Sequence, residues 1–228
     1  MDIKKELNYI KWYSFDQNRL SMKEPIIDKE NKKKKFYFMN PYYKYNDKIS
    51  KSFTVKTPFI KLTENPFPSY TFYETGKYIL IDPNNDDVHN FINIFEKYDI
   101  LTKNILENTE YKEQNPLIRK YNAVKYKHLK LFLTADTKII NYNVSKDYPR
   151  NEIITDLSKS TLSRPLKKDK EIRIIASPYT WIDISNKTYG SKLVVHLMEI
   201  KYSGSNNYSL VDTHEKIEQE EPPTIVQI

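Results

Sequence analysis

Four lysines, Lys32, Lys33, Lys34 and Lys35, run into six aromatic residues within fourteen positions: Phe36, Tyr37, Phe38, Tyr42, Tyr43 and Tyr45, with Lys44 among them. An apolar core takes the rings and rejects the ammonium groups. A solvated loop takes the ammonium groups and rejects the rings. A surface for an unpaired nucleic-acid strand takes both, because phosphates need cations and exposed bases need something flat to stack on. A second cluster, RKYNAVKYKHLKLF, holds Arg119, Lys120, Tyr121, Lys125, Tyr126, Lys127, Lys130 and Phe132. In an alternating strand Lys125 and Lys127 share one face and Tyr126 shares the other with Val124, so not every ring there meets the same ligand. A third, RPLKKDKEIR, is purely cationic and centres on Lys167 and Lys168. Each cluster alone also fits a half-buried strand with a solvated face; the three together point to a polyanion.

Other chemistry finds little support. His89, His128, His196 and His214 are scattered, and none has a second histidine at metal-ligand spacing. His196 falls in an apolar strand and reads as a satisfied core residue. With 3 glycines, far apart, no glycine-rich phosphate loop can form. The absence of cysteine removes disulfides, Cys-based zinc sites and Cys nucleophiles. The run NNDD, Asn84 to Asp87, could bind a divalent metal, but as the start of a helix it already has a capping role. The expectation is a protein that is not an enzyme and uses no cofactor or metal.

The net charge of +7 agrees with a polyanionic partner, although it speaks to association and not to fold. Abundant isoleucine, lysine and asparagine are also what an AT-rich genome imposes, so some lysines reflect codon composition. No apolar signal core opens the chain, and no stretch approaches the ~18–20 apolar residues of a membrane span. These features lead us to expect a soluble protein inside a cell or a particle. From Asp212 onward the character changes: five carboxylates against one lysine give −4, which leaves +11 on residues 1–211. We expect one body, 1–211, and an acidic, proline-broken tail, 212–228, too polar to fold. Tethered beside a cationic groove, such a tail competes with nucleic acid at a local concentration on the order of millimolar, and once displaced it frees its apolar tip, TIVQI, for protein partners.

The elements that must position these clusters are mostly strands. YIKWYSF reads as a first strand, and KSFTVKTPFIKL as strand, turn and extended segment around Pro58. GKYILIDP is a short strand between breakers. One helix stands out in NDDVHNFINIFEKYDILTKNILEN, where Val88, Phe91, Ile92, Phe95 and Tyr98 make one apolar stripe. AVKYKHLKLFL places Leu129, Leu131 and Leu133 on one phase; TKIINYNV, KEIRIIASPYTWIDI and SKLVVHLMEIKY complete four strand-like runs. The polar stretch between Val144 and Lys168 reads as a long loop. About five strands with a helix between them fit an OB-like barrel, with a jelly roll or other sandwich as the alternative.

Over residues 10–202 the order of motifs resembles the single-stranded-DNA-binding proteins of large nucleocytoplasmic DNA viruses, which are similar to the OB-fold binding proteins of short-tailed phages. The likeness rests on Thr57 and Pro58 before the turn at Pro66 and Phe67, and on the aromatic strand at Trp181, the turn from Lys187 to Gly190, and the amphipathic strand through Leu193 and Val195. The resemblance implies an OB-like barrel carrying one helix, a viral origin, and sequence-independent binding of unpaired DNA in replication, recombination or repair. It places the protein in the host cytoplasm at viral factories, in the nucleus, or in the virion, with replication proteins as partners of the tail. A virion core protein that packs through its aromatic strands and touches packaged genome is the competing expectation.

Overall fold

A computed structural model describes residues 9–27, 35–45, 48–50, 53–62, 66, 78–81, 89–121, 126–144 and 149–202. In chain order the elements are β1 (Ile10–Lys11), β2 (Leu20–Met22), β3 (Phe36–Met39), β4 (Pro41–Tyr45), β5 (Lys48–Ser50), β6 (Val55–Lys56), β7 (Ile60–Lys61), β8 (Tyr78–Ile81), α1 (His89–Leu106), β9 (Lys112–Asn115), β10 (Ile118–Tyr121), β11 (Tyr126–Val144), β12 (Pro149–Ile154), α2 (Lys159–Leu162), β13 (Lys170–Asp183) and β14 (Thr188–Tyr202). The fold is mostly β with one long helix. Eleven strands form a mixed sheet along the path β1-β6-β13-β14-β11-β10; β3 and β7 also pair with β13, β8 and β12 with β11, and β9 with β14. β2, β4 and β5 make a separate antiparallel sheet.

The spine is the β13–β14 hairpin, antiparallel from Lys170↔Tyr202 to Asp183↔Thr188. Its turn is built by Asp183, whose Oδ1 accepts from the amides of Ser185 at 2.9 Å and Asn186 at 3.1 Å while Oδ2 accepts from Asn186 Nδ2 at 2.8 Å. Lys187 then takes φ 52, the left-handed turn conformation. β11 runs parallel to β14, from Leu131↔Leu193 to Asn141↔Ile200, with a register shift between Leu133 and Lys138. Thr137 holds that irregularity: its hydroxyl accepts from the Thr134 amide at 2.8 Å and donates to the Val195 carbonyl at 2.7 Å.

Strand alternation sends Leu129, Leu131, Leu133, Leu193 and Val195 to one face, and α1 covers it with Phe91, Ile92, Ile94, Phe95 and Tyr98, all buried in one cluster. Polar groups on that face are satisfied within it. The Tyr98 hydroxyl and Thr180 Oγ1 share a hydrogen bond of 2.9 Å, and Thr180 Oγ1 lies 3.3 Å from both Thr102 Oγ1 and Ser191 Oγ. Burial pushes the Tyr98 phenol well above its ordinary value.

Several expectations are corrected. YIKWYSF gives only the two residues of β1 before a 3₁₀ turn at Trp12–Ser14, because Trp12 and Phe15 turn in to pack on the core. The run AVKYKHLKLFL, from Tyr126 onward, and the run TKIINYNV are one strand, β11, since Thr137 keeps the backbone bonded across the irregularity. There are fourteen strands among the described residues, not about five. The stretch between Val144 and Lys168 is not a loop throughout: β12 pairs with β11 from Ile139↔Ile154 to Val144↔Pro149, and α2 buries Leu162 against the core. Local capping explains this order, for Ser158 accepts from the Thr161 amide at 3.3 Å and Asp156 accepts from the Ser158 amide at 2.9 Å. Among the described residues no strand pair closes the large sheet into a barrel. Val88, the NNDD run and the tail 212–228 lie outside the described residues.

Candidate nucleic-acid interface

The face of the large sheet turned away from α1 is where rings and cations meet. In β3, Tyr37 and Met39 are buried on the helix side, while Phe36 and Phe38 point outward at 46% and 60% exposure. β3 pairs with β13 so that Phe38 stands opposite Trp181 and Phe36 opposite Asp183. Directly opposite residues of an antiparallel pair share a face. Along β13, Ser177, Tyr179 and Trp181 are half-buried while Pro178, Thr180 and Ile182 between them are buried. Tyr179 and Phe38 meet edge to face at 5.8 Å between ring centroids. Burial raises the Tyr179 phenol above its ordinary value.

β14 adds the cation. Lys192 lies opposite Tyr179, and its ammonium sits 4.4 Å from the centroid of Phe132 on β11. Lys130 and Phe132 are half-buried on the same strand phase. Val194 and His196 extend the β14 row. The imidazole Nε2 lies 2.8 Å from Ser177 Oγ, which in turn lies 2.7 Å from Thr54 Oγ1. Burial holds the His196 pKa below its ordinary 6.5. His196 is therefore a half-buried residue of the outer row with a hydroxyl partner. From β3 across β13 and β14 to β11 the face spans roughly 14 Å, three strand spacings of ~4.8 Å.

The candidates drawn from the sequence are dispersed by this architecture. Lys35 and Phe36 stand at one end of the face, and Lys130 at the other. Tyr43 is contradicted as a base-stacking residue. It is 2% exposed, packed against Phe15 and Phe53 at 5.8 and 5.7 Å, and its hydroxyl accepts from the Asp16 amide at 2.8 Å. The register of the second sheet, Leu20↔Tyr43, turns it inward. Tyr42, on the opposite phase of β4, is half-buried with the Lys23 ammonium 5.5 Å from its ring, and Lys44 is exposed; both belong to the second sheet. Tyr45 closes β4 opposite Lys48. Lys167 and Lys168 are exposed in the turn before β13, at the far end of that strand from Trp181. At ~3.3 Å per residue the strand from Lys170 to Trp181 spans roughly 36 Å. Arg119, Lys120 and Tyr121 stand opposite His128, Lys127 and Tyr126 in the β10–β11 ladder. Lys32, Lys33, Lys34 and Lys125 lie outside the described residues.

Trp181, Tyr179 and Lys192 fall outside the three basic and aromatic clusters, yet with Phe38 of the first cluster they form the centre of the face. The signal was present as alternation: S-P-Y-T-W before the turn and K-L-V-V-H after it become one surface once the hairpin is folded about Ile184 to Lys187. Among the described residues, no three His, Asp or Glu side chains are grouped so that they could hold a metal ion, and no helix is long and apolar enough to cross a membrane. No family model matches the chain, and no curated protein matches it.

Proposed function

We propose that the chain binds single-stranded DNA without reading its sequence, in viral replication, recombination or repair, and that it acts by binding alone. The observation that carries this proposal is the outward row Phe36, Phe38, Tyr179 and Trp181 beside Lys192 and Lys130 on a sheet whose other face is sealed by α1. A flat ring row offers stacking that every base can use, and the lysines offer phosphate contacts whose counterions are released on binding. Sequence independence follows from the same chemistry, since a stacked base presents a π-face whatever its edge. An OB-like barrel is part of the proposal. Register shifts at Leu133/Lys138, Ile175/Ala176 and Tyr189/Gly190 support it, because such irregularities bend strands and supply the curvature a barrel needs.

The test is a fluorescence-anisotropy titration with an unpaired oligonucleotide and its duplex at two salt concentrations. The expected result is tighter binding of the unpaired strand, with affinity falling as salt rises. Equal or tighter binding of duplex overturns the proposal. Salt-insensitive, concentration-driven self-assembly in place of binding would favour the virion-core alternative.

A further inference from the structure

Gly190 is one of 3 glycines in the chain and stands inside β14. A glycine there weakens a strand, having no side chain to pack, and often marks a place where something approaches the backbone closely. Gly190 lies directly opposite Trp181 on the outward face, and Trp181 lies directly opposite Phe38 on its other side. Although it has no side chain of its own, Gly190 is buried, while Trp181 is half-buried. Some other group covers it; Trp181 on β13 and Asn115 on β9 stand opposite it, and the indole is the larger of the two side chains. A Cβ branch at 190 would fill this space and stand the indole on its edge. The register shift between Tyr189 and Gly190 opposite β9 gives glycine a backbone reason to be there, but does not account for its cover.

Resting on the single-stranded-DNA proposal above, we infer that Trp181 lies down across Gly190 and that this indole, with the Lys192 ammonium one row further along, forms a subsite for one unpaired nucleobase and its adjoining phosphate. Phe38 flanks the indole on the β3 side. The Phe132 ring beneath the Lys192 ammonium at 4.4 Å keeps that cation on the outward face. Tyr179 fills the row between them. What this subsite selects is the base. A strand carrying the same phosphates without bases offers nothing for the indole.

The experiment uses the full chain with Trp12→Phe, which leaves Trp181 as the sole tryptophan of the 2 present. Oligothymidylate and an abasic oligonucleotide of equal length are titrated against it, followed by tryptophan emission and by anisotropy. Oligothymidylate should quench Trp181 and bind roughly tenfold or more tighter than the abasic strand, the worth of one stacked base. In the same background Gly190→Val should cut that advantage severalfold while leaving the melting temperature unchanged or higher, since valine favours strands. Gly190→Val binding like the parent, or an abasic strand binding as tightly as oligothymidylate, overturns the subsite. If the valine variant unfolds, quenching of Trp181 in the parent by oligothymidylate and not by the abasic strand decides. Binding of oligothymidylate without quenching sinks this inference and leaves the function standing; no binding of any strand sinks the function itself.

Discussion

Phe38 stands directly opposite Trp181 across the β3–β13 ladder, on the face turned away from α1, although 143 positions separate them in the chain. A short strand that follows a lysine run is thereby delivered to the turn end of the longest hairpin. Lys35, the last of that run, adjoins Phe36 and accepts at its carbonyl from the Ile184 amide at 3.1 Å. Cation and ring reach the same edge of the sheet because the backbone ties them there.

Phe36→Ala and Phe38→Ala should separate binding from stability. Both rings are largely exposed, so their removal should leave the melting temperature within a few degrees of the parent. Loss of a stacked base should cost roughly 1–3 kcal/mol of affinity for each ring engaged. Anisotropy at fixed salt, paired with thermal melting, checks this. A large fall in melting temperature with affinity intact would make these rings structural.

The core makes the opposite prediction. Tyr43→Ala and Phe95→Ala each remove a fully enclosed ring, and each should cost roughly 3–5 kcal/mol of folding stability. Tyr42→Ala, on the outward phase of the same strand as Tyr43, should cost far less. Denaturant melts of the three variants decide it, and equal losses for Tyr42→Ala and Tyr43→Ala would show that the register Leu20↔Tyr43 is wrong.

His196 sets a pH dependence. Burial lowers its folded pKa below 6.5, so between those two values the unfolded chain binds the proton and the folded chain does not. Stability therefore rises with pH through that window and is lost as pH falls below 6.5. His196→Gln removes the titration while keeping a hydrogen-bonding group near Ser177. Melts from pH 7.5 down to pH 5 should show the parent losing stability relative to the variant. Parallel curves would mean the imidazole titrates alike in both states.

Much of this fold is legible in the sequence where pattern and contact are both local. The stripe Phe91, Ile92, Phe95 and Tyr98 marks α1, and the phase of Leu129, Leu131 and Leu133 marks the face it covers, because periods of 3.6 and 2 name a buried face without needing to know the partner. Strand pairing does need the partner. Tyr37 and Tyr43 look alike among their neighbours, yet one packs toward Ile182 and the other between Phe15 and Phe53. The candidate face is the least legible. Its rings come from β3, β13 and β11, and clustering along the chain highlighted Tyr43 and Lys167 while the outward row was assembled by long-range registers. The stretch after Val144 reads as a loop because polar composition does not reveal that Asp156, Ser158 and Thr161 bond one another.

The tail should restrain DNA binding. Residues 212–228 lie outside the described residues, and their −4 against a body at +11 is read from the sequence. On the proposed function, its carboxylates should compete with phosphates for the same cations. Because the tail is tethered, the competition is intramolecular and independent of protein concentration. Salt weakens it, since the Debye length is about 8 Å at physiological ionic strength and shorter above it. Truncation before Asp212 should therefore tighten binding of an unpaired strand at low salt, and the gain should shrink as salt rises. Replacing Ile225, Val226 and Ile228 with serine should leave DNA affinity unchanged, because those residues carry no charge. An affinity unaltered by truncation at every salt concentration would place the tail away from the cationic face.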